Sequence, residues 1–513
     1  MVFLDHNITI DSRRSTLFRM ARTDTCKPGR DWSVPVNLLK LLVVLLSSLV
    51  SASQVQADQP NILFIMVDDL GKDWISCYGA DDIKTPNIDS LAQGGLKFHN
   101  AWSMPQCTPT RVTLLTGQYP CHTGWVNHWD VPRWGVGYFD WQEYITFARV
   151  MKTAGYKTCA VGKWQINDFR IEPQAMKKHG FDDWCMWTGF EADNPPSSER
   201  YWDAYINTPE GSKTYRGEFG PDVYTNYLIE FMKRHRDEPM CLYFPMALTH
   251  GPLVTTPSEP NVTSGMDKHK AMVRYTDQLV GRLVQSIDDL GIRDKTIIIF
   301  TTDNGTSGGI RGTIDGIRPS GGKASKYEGG VSEPFIVNCP GRVPAGTETD
   351  ALTDFSDLLP TFAELGGAEV PADVKLDGVS IAPLMLGNAK DSPRQWIMAM
   401  GHGAAKLDQR GVHGTSPFVT RVLRDKRWKV WVNTDGAIDQ LYDMKNDPYE
   451  KKNLLSETET VPAAAASSLA KLRQVVASLP KQDARPRYTP RAANPWDRKP
   501  DQGKAKKKRT KKN

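Results

Sequence analysis

The sequence predicts an α/β fold: an α/β/α sandwich with a large, mostly parallel central sheet, and a smaller C-terminal α+β domain with a short antiparallel sheet. Three observations predict it: two continuous apolar runs, amphipathic segments between them, and a change of pattern near residue 390. Continuous apolar runs are typical of strands that helices cover on both faces. Strands that alternate with helices indicate a parallel sheet.

The apolar runs, residues 61–67 and 296–302, are predicted to be central strands. Each is followed directly by side chains that carry oxygen: Asp68, Asp69, Asp303 and Asn304. In sheets of this kind ligands bind beyond the carboxyl ends of the strands. We therefore expect these four side chains to lie at one binding site.

The remaining elements follow from periodicity and from turn-forming residues. Amphipathic segments at 144–154 and 271–290 predict helices. Residues 386–393 interrupt the pattern with turn-forming residues and predict a domain boundary. Beyond it we predict short strands at 427–432 and 439–443 and a helix at 462–479.

The chain length of 513 residues is sufficient for two domains. We predict a signal peptide at 1–57, a catalytic domain at 58–390, a smaller α+β domain at 391–480, and a disordered Pro/Lys-rich tail at 481–513. The tail is predicted to be disordered because its apolar residues show no helical or strand periodicity.

The first 57 residues resemble an export signal, with several arginines, then an apolar stretch around residues 41–50, then small residues. The apolar stretch is shorter than a bilayer-spanning helix requires, so we expect cleavage and a secreted or periplasmic protein without stable membrane insertion. A retained membrane anchor is the alternative.

Charge and cysteine content exclude some classes of function. The formal net charge is +5, and seven positive side chains lie between Lys504 and Lys512, so the basicity is local and no nucleic-acid partner is expected. The cysteines after residue 57 lack the CxxC spacing of zinc or redox sites, and their pairing is left open.

The motif Cys107-Thr-Pro-Thr-Arg111 matches the pattern Cys-x-Pro-x-Arg. With it the chain resembles the type I sulfatases of the alkaline phosphatase superfamily, a resemblance that extends over residues 61–455. Further segments resemble the family in the same order: residues 61–69, 85–92, 155–164, 249–250, 302–305, 321–323, 327–330 and 441–448.

The resemblance implies a sulfuric ester hydrolase of the arylsulfatase type. It implies that a formylglycine-generating enzyme oxidises Cys107 during maturation and that one hydroxyl of the hydrated aldehyde attacks sulfur. The second hydroxyl then expels sulfate as the aldehyde re-forms. Arg111 would hold the modified residue, Lys163 and Lys323 would bind the sulfate, and His250 would protonate the leaving alcohol.

Three carboxylates and one amide carbonyl form a set of hard oxygen ligands, which suits Ca²⁺ or Mg²⁺ better than zinc. The set comprises Asp68, Asp69, Asp303 and Asn304. The resemblance favours Ca²⁺ and adds the modified Cys107 as a further ligand.

One position departs from the family pattern. Where the family commonly has Gly-Lys-Trp-His, this chain has Gly162-Lys-Trp-Gln165. A glutamine can form a hydrogen bond to a hydroxyl of modified Cys107, but it cannot take up a proton. The sequence therefore leaves open which group assists sulfate release.

The expected substrate is an aryl sulfate or a sulfated oligo- or polysaccharide. Two alternatives remain: a phosphonate monoester or phosphodiester hydrolase built on the same framework, and a non-catalytic exported binder of sulfated glycans. Aromatic residues concentrated at 125–141 indicate either a wall for a sugar or aryl group, or ordinary packing.

Overall fold

The structure is a computed structural model that describes residues 59–127, 139–189, 191, 195–401, 403, 405–408, 411–413, 416–456, 459–489 and 495. Side chains at 406–408 and 411–413 are not described. The predicted signal peptide at 1–57 lies outside the described residues.

Within the described residues, ten strands form one central sheet. They are β1 Asn61–Val67, β2 Leu96–Trp102, β3 Lys157–Lys163, β4 Asp183–Trp187, β5 Tyr205–Thr208, β6 Gly211–Thr214, β7 Met240–Pro245, β8 Thr296–Thr302, β9 Ser332–Asn338 and β10 Thr347–Asp354. Their order is β10-β2-β9-β8-β1-β7-β3-β4-β5-β6. The five neighbours from β8 to β4 run parallel, which confirms the predicted mostly parallel sheet.

The α-helices connect these strands and follow them. They are α1 Pro86–Gln93, α2 Cys107–Thr116, α3 Pro120–Thr123, α4 Phe147–Thr153, α5 Ala175–Lys178, α6 Gly220–Arg234, α7 Gly265–Asp289, α8 Glu328–Val331, α9 Leu358–Gly366, α10 Ala382–Met385 and α11 Ala466–Ser478. Short 3-10 helices cover Lys72–Trp74, Ser76–Tyr78, Pro195–Ser198, Arg293–Lys295, Phe355–Asp357 and Ala463–Ala465. The predicted helices at 144–154, 271–290 and 462–479 correspond to α4, α7 and α11.

The core lies on both faces of the central sheet. Alternate residues of β1 point to opposite sides: Ile62, Phe64 and Met66 belong to one apolar cluster, while Leu63 and Ile65 belong to the other. Because successive side chains of a strand face opposite sides, a seven-residue apolar run requires helices on both faces. This explains why β1 is entirely buried.

A second, antiparallel sheet follows in the C-terminal region, as predicted. It contains β11 Ile397–Met400, β14 Arg421–Arg424, β15 Trp428–Val432 and β16 Ile438–Asp443, in that order. A separate pair is formed by β12 Lys406–Asp408 and β13 Gly411–His413. Apolar side chains of this sheet and of α11 form a third buried cluster. The exact boundary at residue 390 stays a prediction.

Residues 481–489, at the start of the tail that was predicted to be disordered, make defined contacts with the rest of the chain. The backbone N–H of Asp483 donates to the Pro417 carbonyl (2.9 Å), and its carboxylate accepts from the buried Arg421 guanidinium (2.7 Å). Thr489 donates to Asp140 (2.8 Å). Polar contacts hold this segment, so it shows no periodic pattern of apolar residues. Residues 490–494 and 496–513 of the predicted tail lie outside the described residues.

Two further findings concern the whole described chain. The seven cysteines from Cys77 to Cys339 are free thiols. Within the described residues, every helix is too short or too polar to cross a membrane.

Candidate active site

The candidate site lies where four parallel strands end side by side. β1 is hydrogen-bonded between β8 and β7, and β3 is the next strand beyond β7. The ladder continues past the strand ends, since the Asp303 N–H donates to the Val67 carbonyl (2.9 Å) and the Asp68 N–H to the Leu248 carbonyl (2.7 Å). The sequence-predicted residues that follow these strands are thereby brought together.

Helix α2 presents Cys107 to this edge. It begins at Cys107 itself, two residues before Pro109, and all ten of its residues are buried. The Thr110 hydroxyl donates to the Asp303 carbonyl (2.7 Å) and accepts from the Met104 N–H (3.1 Å). The first turn of α2 is thus fixed against the end of β8, with the positive end of its dipole toward the site.

The Cys107 thiol lies among carboxylates and one ammonium group. Its Sγ is 3.4 Å from Asp68 Oδ1 and 3.8 Å from Asp69 Oδ1. Lys323 Nζ is 3.6 Å from the same sulfur. Burial, with the charges of Asp303 and Asp68, raises the pKa of the Cys107 thiol far above its ordinary value.

Two buried cations hold the first carboxylate. Arg111 donates to Asp68 (3.3 Å), to Asp303 (2.9 Å) and to the Lys163 carbonyl (2.8 Å). The Lys163 ammonium forms a short ion pair with Asp68. Burial alone would raise the pKa of Asp68, but Lys163, His250 and Arg111 hold it well below its usual range.

The neighbouring carboxylates are held differently. Lys323 pairs with both oxygens of Asp69, at 2.7 and 2.8 Å. Burial opposes the charge on Lys323, yet the negative groups around it raise its pKa above the ordinary lysine value. For Asp303, burial and the charge of Asp68 raise the pKa to about 7.

Four side chains at this edge of the sheet could hold a metal ion. One ligand atom from each of Asp68, Asp69, Cys107 and His250 can be chosen so that all lie within 4.8 Å of one another. Asn304 donates through Nδ2 to Asp69 (2.9 Å), while its buried Oδ1 has no hydrogen-bond partner. A buried carbonyl oxygen beside carboxylates, left without a donor, is the arrangement expected of a cation ligand.

His250 lies at the open side of the site. Its side chain is 26% exposed, and its Nε2 is 3.7 Å from Asp69 Oδ2. Burial and the Lys163 charge lower its pKa to about 4. The ring is therefore neutral at neutral pH, and a neutral imidazole donates from one nitrogen and accepts at the other.

Gln165, the departure from the family pattern, lies two residues after Lys163 and is 8% exposed. Its φ of +68° places it in the left-handed region. An amide does not take up a proton, and the part of Gln165 in the reaction stays a prediction.

Three residues of the surroundings carried no motif signal. Thr110 occupies a variable position of the Cys107 motif, so only its contacts identify it. Glu333 accepts from Ser103 (3.1 Å) and Thr302 (2.7 Å), the segments that precede Cys107 and Asp303. Arg200 lies 3.1 Å from His250 Nδ1. The segment around Arg200 has no spacing that sequence reasoning could use.

The aromatic segment divides between the two interpretations made from the sequence. Trp125 and Phe139 are buried and contact each other edge to face, with ring centroids 5.9 Å apart. They belong to the core and do not line a sugar site. Residues 128–138, with Trp129, Trp134 and Tyr138, lie outside the described residues.

Comparison with known proteins bears directly on this arrangement. The family model described as "Sulfatase" matches residues 60–368. A second model, "N-sulphoglucosamine sulphohydrolase, C-terminal", matches residues 322–476. The first match covers more than half of the chain and includes all the site residues described above.

Individual relatives agree with the family match. Human N-acetylgalactosamine-6-sulfatase is 31% identical, over 69% of this chain and 71% of that one; the canine enzyme is 32% identical, over 66% of its length. Human arylsulfatase A is 30% identical, over 82% of this chain and 89% of its own. The crystal structure of Ps i-CgsB in complex with k-i-k-neocarrahexaose superposes with a TM-score of 0.70, at 25% identity, over 84% of this chain and 94% of that one.

Proposed function

The chain belongs to the sulfatase family of sulfuric ester hydrolases, and on that premise we propose that it removes sulfate from a sulfated saccharide, with Cys107 oxidised to formylglycine as the nucleophile. A saccharide is favoured over a simple aryl ester because a relative is named for a sulfated amino sugar and a structural neighbour holds a carrageenan oligosaccharide.

The observation that carries the proposal is the convergence of three cations, two of them buried and one partly exposed, on Cys107 and the carboxylates beside it. Arg111 belongs to α2 and Lys163 to β3, and both contact Asp68. Lys323 belongs to a loop and contacts Asp69, which is 254 positions away in the sequence. Cations placed around a reacting centre before the substrate arrives stabilise a transferring sulfuryl group and its developing charge. The carboxylates Asp68, Asp69 and Asp303 keep these cations in place.

Asp68, Asp69, Asp303 and Asn304 would hold one divalent cation, for which Ca²⁺ is proposed over Mg²⁺ because the resemblance to the sulfatases favours it. A bound cation would supply positive charge beside the sulfate oxygens. Oxidation of Cys107 to hydrated formylglycine would supply two hydroxyls at this position, one for attack on sulfur and one for the release of sulfate.

The chain's own residues orient these groups. Arg111 bridges Asp68 and Asp303, and so fixes two carboxylates from neighbouring strands relative to Cys107. Lys163 and Lys323 are fully and largely buried and would exchange their carboxylate contacts for sulfate oxygens. His250, at the exposed side, would donate from Nε2 to the oxygen of the departing alcohol.

Export and maturation complete the proposal. Residues 1–57 would direct the chain to the periplasm or outside the cell, and a formylglycine-generating enzyme would oxidise Cys107 before folding buries it. In the folded chain Cys107 is 1% exposed, so a modifying enzyme would reach it only in the unfolded state.

The first test replaces the nucleophile. Cys107→Ala is expected to abolish sulfate release from sulfated saccharides and from 4-nitrophenyl sulfate, measured by ion chromatography. Cys339→Ala, which removes another buried thiol, serves as the matched control and is expected to retain activity. Full activity of Cys107→Ala would contradict the mechanism.

The second test removes the cation and compares leaving groups. Chelation is expected to abolish turnover, and addition of Ca²⁺ is expected to restore it. A faster rate on a phosphate diester than on the sulfate ester of the same alcohol would favour the phosphohydrolase alternative instead.

A further inference from the structure

Arg200 lies beside the candidate site, on the side of His250 that faces away from Asp69. Its NH1 is 3.1 Å from His250 Nδ1, while Nε2 of the same ring faces Asp69. Nδ1 is also 2.7 Å from the Gly251 carbonyl, and it can serve only one of these two neighbours at a time. Arg200 therefore lies next to the histidine at the open side of the candidate site, on the outer face of its ring.

The guanidinium of Arg200 is buried and has few partners. Arg200 is 8% exposed, and its Cζ lies 3.9 Å from the centroid of the Trp187 ring. Among the described residues, its one hydrogen bond is the contact with His250, and its Nε is buried without a partner. A guanidinium has five N–H donors, and within the described residues one of them is engaged in a hydrogen bond.

A cavity of about 290 Å³ opens at this position. Arg200, Tyr201, Trp202 and Pro252 contribute to its lining. Trp202 is 37% exposed, with its Nε1 anchored on the Thr255 carbonyl (3.0 Å). The one carboxylate of the lining, Glu199, accepts from Ser198 (3.2 Å) and, in the described structure, forms no ion pair with Arg200.

We propose that this cavity, here called the Arg200 subsite, binds the sugar of the leaving group, with the ring against Trp202 and an anionic substituent on Arg200. The substituent is an oxyanion, a carboxylate or a second sulfate, because the planar guanidinium fork matches such groups. The inference rests on the proposed function, since it assigns the substrate class to the same active site. It makes Arg200 the residue that selects substrates with a second negative charge.

The test measures equilibrium binding in the Cys107→Ala background, in which no ligand is consumed. Calorimetry compares galactose with galacturonate, and galactose 6-sulfate with galactose 2,6-disulfate. In each comparison the second sugar carries one more anion. We expect the additional anion to strengthen binding about ten- to hundred-fold in at least one pair. The pair that responds identifies carboxylate or sulfate.

Four variants separate recognition of charge from effects on folding. Arg200→Met is expected to remove the advantage of the additional anion, and Trp202→Ala to weaken both members of a pair equally. Arg216→Met, at an exposed arginine, is the matched control and is expected to change nothing. Arg200→Lys is expected to keep part of the advantage.

The proposal is overturned if neither pair shows an advantage, or if Arg200→Met weakens both members of a pair equally. Circular dichroism verifies folding of each variant. Because the measurement requires no turnover, it stands even if the chain fails to hydrolyse any sulfate ester, which would count against the proposed function alone.

Discussion

At the scale of single residues, the site depends on charges that are buried together. Asp68 and Asp303 follow neighbouring strands, and Arg111 donates to both. Burying one of these charges without its partner would be strongly unfavourable. The carboxylates and cations therefore require each other, and the arrangement exists before any ligand binds.

Arg111→Lys tests this dependence. A single ammonium cannot reproduce the three contacts with Asp68, Asp303 and the Lys163 carbonyl. We expect kcat for sulfate release to fall about 100-fold or more, in an enzyme that remains folded. Arg282→Lys, at an arginine paired with Asp222 outside the site, is the control, and equal rates for the two variants would contradict the assigned role.

At the scale of elements, strands β1 and β8 could be predicted because each has a local signature, a continuous apolar run followed directly by side chains that carry oxygen. The contacts between elements could not be predicted, because residues far apart in sequence form them. Thr110 and Asp303 are 193 positions apart, and no local pattern records such a pair.

Thr110→Val tests the junction between α2 and β8. The substitution removes the hydroxyl that donates to the Asp303 carbonyl but preserves the shape of the side chain. We expect the free energy of unfolding to fall by about 1–3 kcal/mol, and kcat to fall about ten-fold or more as Cys107 shifts. Thr110→Ser keeps the hydroxyl and should retain most of the stability and most of the kcat. If the valine and serine variants have equal stability and equal kcat, the hydrogen bond between α2 and β8 does not matter.

At the scale of the whole molecule, the prediction of two sheets is confirmed, whereas the path of the segment after Lys481 was not foreseen. Composition alone indicated disorder there, yet the Arg421–Asp483 ion pair places it on the body. Buried polar contacts of this kind produce no periodic pattern of apolar residues in the sequence. For the same reason the position of Glu333, which is fully buried between segments that flank the site, could not be predicted from the sequence.

The stability of the molecule should depend on pH through Glu333. Burial raises the pKa of its carboxyl from 4.5 to about 8, although Thr302 and Lys72 oppose the shift; Asp303 also faces it. Between these values the folded state keeps a proton that the unfolded state has lost. Raising the pH therefore destabilises the fold, with a slope of up to about 1.4 kcal/mol per pH unit.

Glu333→Gln removes this titration while keeping hydrogen bonds to Ser103 and Thr302. The thermal midpoint of the wild-type protein is expected to fall more steeply than that of the variant between about pH 5 and pH 8. Differential scanning fluorimetry across that range provides the comparison. Parallel pH profiles would show that Glu333 is ionised in the folded protein.

The most direct test of the proposed function relates the chemical state of Cys107 to turnover. Preparations made with increasing amounts of a formylglycine-generating enzyme can be compared by mass spectrometry of the peptide that contains Cys107 and by the rate of sulfate release from one sulfated saccharide. We predict that the rate rises in proportion to the aldehyde fraction and is absent when residue 107 is entirely thiol. Full turnover by the all-thiol protein would contradict the account.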